Sequence, residues 1–266
     1  MAAQDEARKL VDEFAARTRS GGGLWLHIKR ADLAAGLRAR VENPDLISSG
    51  GTSLCGPAAF AHDLAIDDPV SYVKAAIDLW EAGSAVIGTQ SIRPKKDLKY
   101  YKLPPTKNIN PADWILLASM RDTDNWFFDY QEEGDDLAAI TMPHTMEKWF
   151  KQAGYTEVLN DTNTVVCKDL ANARKASSLF SKGYKVCLFI NADMLYTEKH
   201  NNASLIPDHW VGLYTAMTIS GIAEDPASKV TFKVYTWGGA QSVPESGDLS
   251  IKHFLNNYYG YIACTR

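Results

Sequence analysis

Four cysteines and six histidines carry the reactive chemistry of this 266-residue chain, and their contexts differ. Cys55 lies where a small-residue loop, Ser48-Ser49-Gly50-Gly51-Thr52-Ser53, runs into Leu54-Cys55-Gly56-Pro57-Ala58-Ala59. Pro57 suits the first turn of a helix, where the N–H it lacks would have no partner in any residue. A thiol at a helix start faces unpaired amides and the positive end of the macrodipole, both of which favour thiolate. Gly56 would let a substrate come close to the backbone, and the Cys55 amide would serve as half an oxyanion hole. The same residues also describe a small buried side chain at a helix start, and local sequence leaves both readings open. Cys167, Cys187 and Cys264 sit in apolar, strand-like runs and read as core.

A nucleophilic thiol needs a base within hydrogen-bond reach. His62 follows Cys55 by seven residues on the same helix, two turns away, and cannot reach back to the sulfur. His27, His144 and His253 lie in helical or apolar contexts and read as ordinary satisfied residues. His200 stands in the polar loop Lys199-His200-Asn201-Asn202 as a surface residue or a substrate contact. His209 opens an apolar run, Asp208-His209-Trp210-Val211-Gly212-Leu213. An imidazole at the first position of a core strand is held at the sheet edge while the apolar residues after it anchor the backbone. His209 is therefore the expected general base.

The elements that must position these two residues follow from periodicity. Helical spacing covers 5–18, 31–42, 58–65, 69–82, 111–121, 143–153 and 169–182. Residues 92–110, with Pro94, Pro104 and Pro105, read as an irregular loop, and the acidic stretch 122–136 as a solvated one without EF-hand spacing. Strand patterns follow at 185–190, 210–219, 230–237 and 260–265, with a helix near 249–257. Helices first and strands later describe an α+β fold, with a helical N-terminal part packed on a C-terminal antiparallel sheet. The organisation expected is one domain over 1–266: a helical extension to 44, a mainly helical half with the nucleophile over 45–184, and a mainly β half with the histidine from 185.

With these elements in place the chain resembles the papain-like cysteine hydrolases, which set a cysteine at the start of a central helix and a histidine at the start of a later strand. Leu54-Cys55-Gly56-Pro57-Ala58-Ala59 is similar to the Cys-Gly-Pro-Ala form of bacteriocin-processing and related bacterial peptidases. Asp208-His209-Trp210-Val211 and Tyr235-Thr236-Trp237-Gly238 resemble the histidine strand and the Trp-Gly end of the strand after it. The resemblance covers roughly 45–66 and 185–265. It implies Cys55 and His209 as the catalytic pair, with Trp237 shielding the histidine and touching substrate. Two positions depart from the pattern. Ser48, Ser49 and Thr52 occupy the loop where the family carries an oxyanion-hole glutamine, and Tyr235 stands where it carries Asn or Asp. Thr236, Asp225 or a water is then left to orient the imidazole, with Thr236 preferred. Strand alternation sets Tyr235 and Trp237 on the face opposite Thr236, and this weighs against that preference.

Composition bounds the rest. A 45% hydrophobic, 23% charged chain of net charge −4 is ordinary for a globular protein and offers no basic stripe for nucleic acid. The densest basic stretch, 93–102, reads as a solvated loop. No apolar run reaches membrane-spanning length, and the polar start, without an apolar segment, predicts no cleaved leader. No HExxH, paired histidines or clustered Cys/His set occurs, so no metal or other cofactor is expected. The function expected is hydrolysis of an amide in a peptide, a protein, a peptidoglycan stem or a glutamine side chain. The resemblance also extends to secretion effectors, which would make the protein a toxin exported without a leader and paired with an immunity protein or host target. A cytoplasmic enzyme, a transglutaminase-like acyl transferase and an inactive papain-like binding module stay open beside it.

Overall fold

The computed structural model describes residues 2–17, 23–103, 107–124, 140–196, 206–221, 225 and 228–266. His200, Pro104, Pro105 and the acidic positions Asp129, Glu132, Glu133, Asp135 and Asp136 lie outside them. The fold is mixed α+β, with helices in the N-terminal part and an antiparallel sheet in the C-terminal part. The chain divides into two compact units, residues 1–141 with 152–154 and residues 142–151 with 155–266. That division falls near 141, ahead of the boundary at 184 that the sequence predicts, because a further strand and two helices belong with the sheet.

The first unit is helical. It contains α1 (Ala2–Ala16), α2 (Arg30–Glu42), a 3-10 turn (Pro44–Leu46), α3 (Cys55–Asp67), α4 (Pro69–Ala82), the hairpin β1 (Ala85–Ile87) and β2 (Gln90–Ile92), α5 (Lys96–Tyr100) and α6 (Pro111–Asp124). α3 is buried from Cys55 to Ala65 and α6 from Ala112 to Asp122, so these two are its central helices. Their sequences say why, being apolar or small on nearly every side. α4 is bounded by its own residues. The Asp68 side chain accepts from the Ser71 amide at 3.0 Å, Pro69 opens the helix, and Gly83 closes it in the left-handed region with φ 70°. The short helix α5 occupies the segment that reads as an irregular loop.

The second unit is the sheet with its covering helices. In order come α7 (Pro143–Gln152, whose last residue belongs to the first unit), β3 (Thr156–Thr162), α8 (Leu170–Ser181), β4 (Lys185–Ile190), a 3-10 turn (Ala192–Leu195), β5 (His209–Leu213), β6 (Thr218–Ser220), β7 (Lys229–Thr236), β8 (Gly239–Val243), β9 (Leu249–Ser250), α9 (Ile251–Asn256) and β10 (Tyr258–Thr265). The strand order is β3-β10-β4-β5-β7-β6, every pair is antiparallel, and β8 and β9 pair with β7. Ala173 and Ala176 of α8 share one buried apolar cluster with Val186, Leu188, Val211 and Tyr261 of the central strands. Small residues on that helix face let it lie close to the sheet.

Two expectations about strands change. The run 210–219 is two strands, because Tyr214 and Thr215 leave the ladder and their amides bond to the Lys233 carbonyl. Cys167 is half-buried in an irregular segment and not in a core strand. Its thiol donates to the Asn256 carbonyl at 3.2 Å, and its neighbours Val165 and Val166 are 77% and 62% exposed. β3 has already ended at Thr162, so the apolar run 164–167 has no sheet to join. Cys187 and Cys264 are buried in β4 and β10, as their apolar runs predict.

Candidate active site

In the first unit Cys55 is the first helical residue of α3, after Leu54. Leu54, at the N-cap, makes no side-chain cap hydrogen bond. The amides of a helix's first turn point outward along the axis and carry the positive end of the macrodipole. The structure gives Gly56 a packing reason to be glycine. A Cβ there would stand 2.5 Å from both Cβ and Oγ1 of Thr141, so the missing side chain is what admits Thr141 against the helix start. Thr141 Oγ1 in turn accepts from Arg121 of α6 at 3.2 Å.

The loop ahead of Cys55 is fixed in two ways. Gly50 and Gly51 have φ of 55° and 74° and form a tight turn closed by the Thr52 amide on the Ser49 carbonyl at 2.9 Å. The hydroxyls of Ser48 and Thr52 bond within the loop, to the Gly50 amide and the Ser49 carbonyl. Beneath them lies a buried ion pair. Arg40 of α2 donates from Nε and Nη2 to the two carboxylate oxygens of Asp113 of α6, both at 2.6 Å. Asp113 also accepts from the Ser48 amide at 3.1 Å, and Arg40 reaches the Leu46 carbonyl at 3.0 Å. Burial pushes the Asp113 carboxyl up, against the downward pull of Arg40. This pair ties two helices to the loop that delivers the cysteine. Sequence reasoning missed it, since Arg40 and Asp113 are 73 residues apart.

His62 lies on α3 with its Nε2 2.9 Å from Asp45 Oδ1, so that histidine is engaged at the 3-10 turn before the loop. His27 lies in an exposed turn, and His144 on an exposed position of α7. His253 of α9 meets the Asp193 carbonyl at 3.4 Å.

In the second unit His209 is the first residue of β5, paired with Ile190, the last of β4. Asp208 sets its backbone by donating its amide to the Ile190 carbonyl and accepting from the Ala192 amide at 2.7 Å. Trp210 stacks on Phe189 at 4.5 Å and anchors the strand behind it. The His209 ring is buried, and its Nε2 lies 2.9 Å from Thr236 Oγ1 at the end of β7. Trp237 covers the ring, with centroids 5.2 Å apart and planes at 33°. Trp237 is itself 43% exposed and stacks on Tyr196 at 6.2 Å. Burial pushes the imidazole down from about 6.5 to about 4, so His209 is neutral at pH 7.

Thr236 and Trp237 both meet His209, which strand alternation forbids. The reason is that Trp237 is not on the strand. Thr236 pairs with Gly239, which leaves Trp237 and Gly238 as the two central residues of a hairpin, with φ of 48° and 86°. Two consecutive positive φ values are what a type I′ turn requires, and the turn swings the indole back over the strand end. A tryptophan in the left-handed region is uncommon and strained by about 1–3 kcal/mol. Asp225 lies in the turn after β6, where its carbonyl accepts from the Ser228 amide at 3.0 Å.

Among the described residues no cluster of His, Cys, Asp and Glu could hold a metal ion, and no helix is long and apolar enough to cross a membrane. Comparisons of the chain with protein-family models, with curated proteins and with solved structures find no match.

Proposed function

We propose that the protein is a papain-like cysteine hydrolase in which Cys55 is the nucleophile and His209 the general base. The observation that carries the reading is the state of His209: buried, neutral at pH 7, and bonded through Nε2 to the Thr236 hydroxyl. If Nε2 carries the proton and donates it to Thr236 Oγ1, the lone pair of Nδ1 is left to take the proton of a thiol. Thr236 then does the work of the family's Asn or Asp without its charge. Trp237 shields the bond from water, and water competing for Nε2 would loosen the ring. Cys55 contributes a sulfur at a helix start whose N-cap makes no side-chain bond, where the first-turn amides favour thiolate and a developing oxyanion.

The reaction this chemistry serves is acyl transfer to water. The Cys55 proton passes to His209, and the sulfur adds to an amide carbonyl. The amine leaves with the proton, and a water activated by the same imidazole releases the acid. A peptide, a peptidoglycan stem and a glutamine side chain all present the required amide, and each leaves its own product. The test is incubation of wild type and Cys55→Ala with peptidoglycan and with a cell lysate, read by mass spectrometry. New termini or a deamidation shift of about one dalton, present with wild type and absent with the variant, support the proposal. Identical spectra from the two proteins leave a binding module on the same scaffold.

A further inference from the structure

One face of the first unit runs against the chain's net charge of −4. The segment 93–102 holds five cations, Arg93, Lys95, Lys96, Lys99 and Lys102, against one anion, Asp97. It lies beside the turn at 24–28, closed by the Ile28 amide on the Trp25 carbonyl at 3.2 Å. The Leu26 amide donates to the Lys99 carbonyl at 3.1 Å, and the Lys99 ammonium and a Leu24 methyl both lie over Gly83 at the end of α4. Trp25 turns inward and donates its indole N–H to the Leu79 carbonyl at 2.9 Å. Its neighbours Leu24 and Leu26 stay at the surface. They are 48% and 66% exposed, and Tyr100, with the Lys96 ammonium 5.8 Å over its ring, is 51% exposed. Between the two segments a cavity of about 300 Å³ is lined by Trp25, Tyr101 and Trp114 with His27, Lys99 and Lys102. No described residue forms an ion pair with Lys96, Lys99 or Lys102.

We propose that this face docks on the surface of an anionic lipid bilayer. Two leucines and a tyrosine standing among lysines match what an interfacial site needs, with apolar tips for the headgroup–acyl boundary and cations for phosphate and carboxylate. The choice of cation argues against a protein partner. Protein interfaces favour arginine and disfavour lysine, and four of the five cations here are lysine. The cavity adds a largely apolar recess with Lys99 and Lys102 in its lining, of a size to take the upper part of one lipid. The proposal is independent of the catalytic reading, since Cys55 and His209 take no part in it.

Sedimentation of the full chain with vesicles tests it, using phosphatidylcholine alone and phosphatidylcholine with about a third phosphatidylserine, at low and at about 0.5 M salt. Wild type is expected in the pellet of the anionic vesicles at low salt only. Each lysine near an anionic leaflet is worth about fivefold in binding, so Lys96→Glu with Lys102→Glu should weaken it at least about 25-fold. Leu24→Ser with Leu26→Ser should weaken it about tenfold or more. All four positions are exposed or nearly so, and circular dichroism verifies that the variants fold. Equal binding to both vesicle types, or either variant binding like wild type, overturns the proposal. Binding to neither vesicle type also overturns it and points to an acidic protein as the occupant.

Discussion

Replacing Thr236 by valine removes one oxygen from the site and almost nothing else. The lost hydroxyl lies 2.9 Å from His209 Nε2, and both residues are less than a tenth exposed, so no water reaches the nitrogen to replace it. A buried N–H left without an acceptor costs about 1–3 kcal/mol, and here the cost belongs in the middle of that range or above, because Trp237 closes the exit to solvent. In a unit of this size about 2 kcal/mol lowers the melting temperature by roughly 4–8 °C. The same change frees the imidazole to put its proton on either nitrogen. Thermal melts followed by circular dichroism read the first effect, and long-range proton–nitrogen NMR spectra of His209 read the second. A variant with unchanged melting temperature and an unchanged Nε2–H tautomer would refute the reasoning.

Three further outcomes follow from other parts of the structure. Stability should depend on pH through His209. Its folded value near 4 lies below the unfolded value near 6.5, so the unfolded chain takes up the proton first. The contribution is therefore complete above about pH 6.5 and is lost as pH falls to about 4. The loss amounts to about 3 kcal/mol, and urea titrations at several pH values should show it in wild type and not in His209→Gln. Asp113→Ala should destabilise the first unit by about 3–5 kcal/mol by stranding the buried Arg40 guanidinium, and a destabilisation below about 1 kcal/mol in urea would show that the pair does not hold the loop. Gly56→Ala should cost about 1–3 kcal/mol by driving a methyl into Thr141, and adding Thr141→Gly, which also removes the Cβ it meets, should restore part of that loss; a double variant no more stable than Gly56→Ala contradicts the packing account.

The parts of the fold that were legible are those whose sequences carry their own boundaries. Asp68, Pro69 and Gly83 mark both ends of α4, and the strand pattern at 185–190, apolar from Val186 on, is β4 to the residue. What was not legible lacks such a signal. β1 and β2 have three residues each, too few for alternation to register, and β3 is an edge strand without a buried residue. Cys167 read as core because its neighbours are apolar, yet Val165 and Val166 lie in solvent. Local hydrophobicity cannot tell a strand from an exposed turn when the partner strand has already ended.

The site divides along the same line. Cys55 at a helix start and His209 at a strand start are local features, visible from the residues beside them. The position of Trp237 was misjudged because alternation was carried one residue too far, into a turn whose backbone twist only the pairing of Thr236 with Gly239 reveals. The Arg40–Asp113 pair, which fixes the loop before Cys55, depends on two helices meeting, and nothing near either residue in sequence announces the other.

The central claim is that His209 activates Cys55, and the rate of thiol alkylation tests it most directly. Cys187 and Cys264 are 1% exposed and Cys55 9%, while Cys167 is half-buried, is part of no proposed chemistry, and so supplies the control for a more accessible, unactivated thiol. Iodoacetamide labelling at pH 6–7, quantified for each cysteine by mass spectrometry, should modify Cys55 at least tenfold faster than Cys167, and His209→Ala should abolish that advantage. A Cys55 that reacts no faster than Cys167, or whose rate is the same in His209→Ala, contradicts the account.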